Sequence, residues 1–188
     1  MRHKYTTTAL LLARTPHAEA SATLFALTPD LGLIRVRAQA VRKPGAKLAS
    51  AVQTFAHSDL TLVRAKDGWR LTGAILVHDY AKSLEPVMRT RVARVAELFL
   101  RFVQGDSTDA RFYYILDGLL QVLPTLSPEE ADAAECIAVL RLLVVLGLDV
   151  GALPIGSQEY APEARSAILA SRSEFIKRIN HGIEASGL

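Results

Sequence analysis

Two hydrophobic periods divide this chain of 188 residues. Up to Val77, apolar side chains return at every second position, the period of a half-buried strand. Beyond Pro86 they return every three to four positions, the period of an amphipathic helix. The sequence predicts a sheet followed by a helical bundle.

Tyr5 to Arg14, rich in Thr and Leu, predicts a first strand ended by the turn-prone Thr15, Pro16 and His17. Ala22 to Leu27 predicts a second, closed by Thr28 to Gly32, where Pro29 presets a turn and Gly32 can take a positive φ. From Leu33 a third strand puts Ile34, Val36, Ala38 and Ala40 on one face and Arg35, Arg37 and Gln39 on the other. It runs into a loop carrying Arg42, Lys43 and Lys47, and Lys47 to Val52 is a candidate short helix. Ser58 to Arg64 alternates Leu60 and Leu62 against Asp59 and Thr61, and the Asp67–Gly68 pair joins it to Trp69 through Val77 as a hairpin. Five short strands with a longer connection between the third and fourth match a small closed barrel of the OB type.

In the rear half, Val92, Val95, Phe99 and Phe102 share one helical stripe that Gly105 ends. Arg111 to Leu123 repeats the pattern with Phe112, Ile115, Leu116 and Leu119 and stops before Pro124. Ser127, Pro128 and Glu130 then read as an N-cap serine, a first-turn proline and the glutamate of a capping box, opening a helix from Pro128 to Leu146. After a Gly- and Pro-containing connector, Gly151 to Pro162, a last helix is predicted over Glu163 to Ala185. The class is therefore α+β: an N-terminal five-stranded OB-type β-barrel over residues 1–84, followed by a C-terminal helical domain over residues 85–188. The Pro128 helix is apolar nearly all round in its second half and should be the spine of the bundle. Arg141 in its middle has three readings: a snorkelling side chain, a partner for an acidic neighbour, or the lining of a groove suited to a short peptide with an acidic or carboxylate end.

Charge sharpens the division. Met1 to Leu84 holds twelve Lys and Arg against five Asp and Glu, and Glu85 onward holds ten against fourteen, so the overall +3 hides a basic front and an acidic rear. The leading anion-binding candidates are Arg35 and Arg37 on the third strand and Arg42, Lys43 and Lys47 beside Pro44 and Gly45, because a loop can close on a ligand. Arg64, Lys66 and Arg70 around the Asp67–Gly68 turn come second, since charge there also discourages edge-to-edge aggregation. Nucleic acid leads as the partner, because each neutralised phosphate releases condensed counterions. OB barrels also stack bases on aromatics, but Tyr5, Phe25, Phe55, Trp69 and Tyr80 are few and expected mostly in the core, so electrostatics should outweigh stacking.

Nothing here supports catalysis. His3, His17, His57, His78 and His181 are scattered without metal-ligand spacing, and phosphate-loop, dinucleotide and nucleophile-elbow motifs are absent. The single Cys136 cannot close an intrachain disulfide and reads as a buried, inert thiol. No catalytic residue, cofactor, metal or small-molecule substrate is expected, and the chain is expected not to be an enzyme. Cys136 to Leu148 is interrupted by Arg141 and falls short of the ~20 residues of a membrane helix, and the N-terminus reads as a strand rather than a signal peptide, so a soluble cytoplasmic protein is expected.

The order of these elements resembles the RecO family of bacterial recombination mediators, most clearly from Thr8 to Tyr80. Glu19, Ala20 and Ser21 match its EAS-like turn, Thr28 to Gly32 its TxxxG strand end, and Ala38 to Lys43 its ARGxR-like stretch. Lys47 with Leu48 follows the Ser-Lys-Leu-like segment, and Gln53 to Phe55 the QPF-like tripeptide. Gln39 and Ala40 depart from the family's usual Arg and Gly. The four cysteines of the family's zinc module are missing, so the chain reads as a short form and zinc is not expected.

The resemblance implies a helper that binds single- and double-stranded DNA and anneals complementary strands. With a RecR-type partner it would help load RecA-type recombinase onto strands coated by single-strand binding protein, whose C-terminal tail the helical domain would receive. It also implies a nucleoid-associated protein with no membrane partner. A protein-interaction adaptor and an RNA-binding OB protein are the alternatives, because a cationic strip cannot by itself see a 2′-hydroxyl.

Overall fold

The computed structural model describes residues 3–17, 21–39, 41, 48–66, 68–103 and 108–187. Five strands, β1 (Lys4–His17), β2 (Ser21–Thr28), β3 (Gly32–Ala38), β4 (Ala56–Ala65) and β5 (Gly68–Asp79), close into a barrel in the order β1-β2-β3-β5-β4. The predicted OB-type barrel with helices following it is thus present. Every ladder is antiparallel except that of β3 with β5, which sets Val36 beside Trp69 and Arg37 beside Arg70 in parallel.

β1 serves two neighbours. Lys4 to Leu10 pairs with β4 and Leu10 to His17 with β2, and the register shifts between Leu11 and Ala13. That shift lets Leu10, Leu11 and Leu12 all be buried, which strict alternation forbids. The strand also runs three residues past the Arg14 end expected from the sequence. Pro16 is tolerated there because β1 has lost its β4 partner and a proline lacking an N–H fits a one-sided edge.

The β2–β3 turn is tied by Thr28, whose hydroxyl donates to the Gly32 carbonyl at 3.1 Å and accepts from the Leu31 N–H at 3.0 Å, while Gly32 takes φ 68°. Leu11, Leu24, Ala26, Val36, Leu60 and Leu62 fill the interior, and burial of each large aliphatic group contributes roughly 1.5–3 kcal/mol. Val52 joins them from a single 3-10 turn, Ser50–Val52, the part of the expected short helix that forms among the described residues. Phe55 holds φ 65° just before β4, donating its N–H to the Leu11 carbonyl at 2.7 Å and accepting from Tyr80 N–H at 3.2 Å.

Among the described residues six α-helices follow: α1 (Tyr80–Ser83), α2 (Pro86–Phe102), α3 (Arg111–Val122), α4 (Pro128–Val145), α5 (Pro162–Ala170) and α6 (Arg172–Ala185). The chain divides into two units, Met1–Ser83 with Gln104–Tyr113, and Leu84–Val103 with Tyr114–Leu188. In the first, His57 Nε2 lies 2.8 Å from Thr8 Oγ1 and 3.1 Å from the Tyr113 hydroxyl.

In the second, α4 is buried on almost every side from Ala131 to Leu143 and packs against α2, α5 and α6. Ser127 and Glu130 form the predicted capping box at its start. The expected single last helix is instead α5 and α6, broken at Ser171 (φ −125°, ψ 34°). Ser171 and Ser173 are weak helix formers, yet Ile168 and Ile179 lie about three turns apart and continue one stripe, so apolar spacing does not register the break.

Candidate nucleic-acid interface

The wall of the barrel carries its charge through β3. Ile34, Val36 and Ala38 point inward and Arg35 and Arg37 outward, as alternation requires. Arg35 lies across the outer face of Phe25 on β2, its guanidinium carbon 5.5 Å from the ring centroid. On the other side Arg37 is the register partner of Arg70 on β5. Three guanidiniums therefore share one outer wall, with Arg35 and Arg37 about 7 Å apart along the strand.

The hairpin cations do not all join them. Arg64, opposite Trp69, keeps the inward phase of Leu60 and Leu62 but lies past the last buried layer, so it rises from the end of the barrel. Its guanidinium stacks on Trp69, 4.9 Å from the ring centroid. Arg70, opposite Val63, leaves on the outer wall. Lys66 is exposed at the turn. Arg42, Lys43 and Lys47 lie outside the described residues.

Four of these cations differ from those of the helical unit in their counter-charge. Among the described residues, no carboxylate pairs with Arg35, Arg64, Lys66 or Arg70. The helical unit behaves in the opposite way. Arg91 bridges Asp132 at 3.2 Å and Glu135 at 2.7 Å, Arg94 grips Glu135 with two hydrogen bonds of 2.6 Å, and Arg172 meets Asp132 at 2.6 Å. Arg165 reaches Glu130 at 3.1 Å and Arg178 reaches Asp149 at 2.5 Å. The Arg172 hydrogen bond is the largest influence holding the Asp132 carboxyl below its usual range. Sequence reading missed this network. The signal was available in the matched three-residue spacings of Arg91 with Arg94 and Asp132 with Glu135, which place each pair on one helix face.

Among the described residues Arg141 has no acidic partner. It is buried, donates to the Gln158 carbonyl and side-chain oxygens at 3.0 Å each, and lies over the Tyr160 ring at 5.1 Å. An open cleft of about 400 Å³ is lined by Arg91, Pro128, Glu129, Asp132, Leu169 and Arg172, without Arg141.

The aromatics split as well. Tyr80 is buried, whereas Tyr5 is 46% exposed and meets half-buried Trp69 edge to face at 5.1 Å. Their places near a strand start and directly after a turn were the sequence signal that both sit at the barrel's end.

Comparison with known proteins agrees with this architecture. The family model described as "Recombination protein O N terminal" matches residues 1–80, the barrel itself. A DNA repair protein RecO of Dehalococcoides mccartyi is 30% identical over 129 residues, covering 68% of this chain and 51% of that protein. The chain belongs to the RecO family.

A RecO of Heliobacterium modesticaldum is 33% identical over 146 residues, 76% of this chain and 51% of its own length. One from Gloeobacter violaceus is 25% identical over 185 residues, 98% of this chain and 66% of its own. The chain spans about half the length of the first two. The four-cysteine zinc module associated with the RecO family does not fit these residues. Cys136 is the only cysteine, and burial pushes its thiol up to about 11, far from a ready thiolate ligand. Among the described residues no three His, Cys, Asp or Glu side chains converge as a metal site, and no helix is long and apolar enough to cross a membrane.

Proposed function

We propose that this RecO family member acts in DNA repair and recombination as a mediator without catalytic chemistry of its own, binding single- and double-stranded DNA through the barrel wall and annealing complementary strands. The observation that carries the reading is the cationic wall of Arg35, Arg37 and Arg70, on which Arg35 and Arg70 have no carboxylate partner among the described residues, while Glu130, Asp132, Glu135 and Asp149 of the helical unit pair with its own arginines. A guanidinium without a counter-charge gains most from a phosphate, and each contact releases condensed cations. Two strands screened by one such surface approach each other with less repulsion, which accounts for annealing without a reaction step.

Within this reading Arg42, Lys43 and Lys47 supply further phosphate contacts, and Arg64 and Lys66 add charge at the barrel's end. Residues 1–84 form the nucleic-acid-binding domain, and residues 85–188 serve protein partners. A RecR-type partner and the C-terminal tail of single-strand binding protein would direct the loading of RecA-type recombinase onto coated strands, in the cytoplasm at the nucleoid. The test is fluorescence anisotropy with labelled single strands and duplexes across a salt series. Steeply salt-dependent binding that flattens when Arg35, Arg37, Arg42 and Lys43 are reversed to Glu supports the reading, and binding indifferent to those changes defeats it.

One observation favours a second reading, a barrel that docks another protein: Ile75 and Val77 on β5 are 71% and 55% exposed. Partner capture that survives nuclease treatment, with no direct DNA binding, would select it.

A further inference from the structure

Trp69 is the chain's single tryptophan, and its setting differs from that of the cationic wall. Its inner side packs on the barrel core beside Val36, its register neighbour on β3. Outside the core it has two companions: the edge-to-face ring of Tyr5 at 5.1 Å and the Arg64 guanidinium at 4.9 Å. Tyr5 is opposite Leu62 on β4 and so shares the inward phase, which places all three side chains at one open end of the barrel rather than on its flank.

The composition of this rim is unlike a simple plug. A core cap would be aliphatic and closed, yet Tyr5 keeps 46% of its surface in water, Arg64 is exposed, and no described carboxylate neutralises the cation. A flat π-surface beside an unneutralised guanidinium matches the two faces of an unpaired nucleotide: the ring takes the base by stacking, and the cation takes the phosphate or stacks in turn. A base pair inside a duplex cannot offer its face to such a rim. Among the described residues the outer wall of Arg35, Arg37 and Arg70 offers one aromatic, the half-buried Phe25 under Arg35, and so reads backbone charge.

We infer that the Tyr5–Trp69–Arg64 rim is a second, separate nucleotide site on the barrel, specific for the unpaired bases of single-stranded nucleic acid, while the wall holds phosphates irrespective of strandedness. This rests on the DNA-binding reading above and deepens it. A protein with both surfaces can hold one strand by its bases and admit another by its backbone.

The test uses the intact chain and its own tryptophan emission. Binding of oligo-thymidylate, of an abasic strand of equal length and of a blunt duplex is followed by anisotropy, and tryptophan emission is read in parallel. Quenching by oligo-thymidylate, with none from the abasic strand or the duplex when each is bound, supports the site. Tyr5→Leu, at an exposed position, should weaken oligo-thymidylate binding about fivefold and leave duplex binding unchanged, whereas Arg64→Gln, which also removes a charge, should weaken oligo-thymidylate binding about fivefold and duplex binding by less. Bound oligo-thymidylate with unaltered emission, equal quenching by all three ligands, or equal losses on duplex would overturn this inference alone. Binding to none of the three would overturn both it and the DNA-binding reading.

Discussion

Gly118 in α3 provides the seat for the Tyr160 ring: a Cβ built at Gly118 would lie 3.0 Å from Tyr160 Cε2 and 3.3 Å from Cδ2. Tyr160 cannot retreat, being 1% exposed with its hydroxyl donating to the Ile115 carbonyl at 2.6 Å and the Arg141 guanidinium over its ring. Alanine is the better helix former by about 1 kcal/mol. Overpacking in a fixed core costs ~1–3 kcal/mol and should win. Gly118→Ala is therefore expected to lower the melting temperature; an unchanged or raised midpoint in thermal unfolding would contradict this seat.

Burial pushes the Tyr160 phenol well above its ordinary value of 10.0 and the Cys136 thiol up from 9.0 to about 11. For both groups the folded state favours the protonated form. Their contribution is fully present below the ordinary value and is lost as pH rises through it towards the folded value. Stability should fall on the alkaline side, and Tyr160→Phe should make that fall shallower while costing about 1 kcal/mol at neutral pH for the missing hydrogen bond. Urea unfolding at neutral and strongly alkaline pH measures both.

Asp132 carries the opposite sign. Its carboxyl is held below 3.8, first by the Arg172 hydrogen bond and then also by Arg91, so its contribution is present above the ordinary value and fades as pH drops through the depressed one. Asp132→Asn is expected to cost about 1 kcal/mol near neutrality, a modest figure because the site is partly wetted. The wild-type and variant unfolding curves should converge in strong acid. A gap that persists or widens there would mean that the arginine pairs are not its source.

Arg70 provides a clean probe of the wall. Arg70→Gln removes one phosphate contact and should reduce the slope of log affinity against log salt by about 0.7 on single strands. Lys177→Gln, an exposed cation on α6, should leave that slope alone. Equal effects from the two would assign the slope to overall charge rather than to the barrel wall.

The barrel was legible because alternation and turn chemistry agree locally: Ile34, Val36 and Ala38 against Arg35 and Arg37, and Gly32 where a positive φ is needed. The Ser127 start of α4 was legible for the same reason. Less could be read where the outcome depends on contacts far along the chain. Pro16 stays in β1 because of where β4 pairing stops, and Arg141 found a side-chain amide and an aromatic face rather than a carboxylate. The separation of Arg64 from Arg70 needed the exact hairpin register, including the shift between Thr61 and Leu62. From the sequence alone, the two cations looked like one cluster.

Among the described residues the β3–β5 ladder, two register pairs long against ten between β4 and β5, is the narrowest seam in the barrel's circumference. A closed hoop of ladders parts first where the fewest bonds resist. Arg37 and Arg70, and Trp69 beside Val36, stand on the two lips of that seam, so transient parting would separate the wall's cations and uncover more of the indole in one movement. Amide protons of Val36 to Ala38 and Trp69 to Leu71 should then exchange with solvent sooner than those at the middle of β4, and bound nucleic acid laid across both lips would slow them.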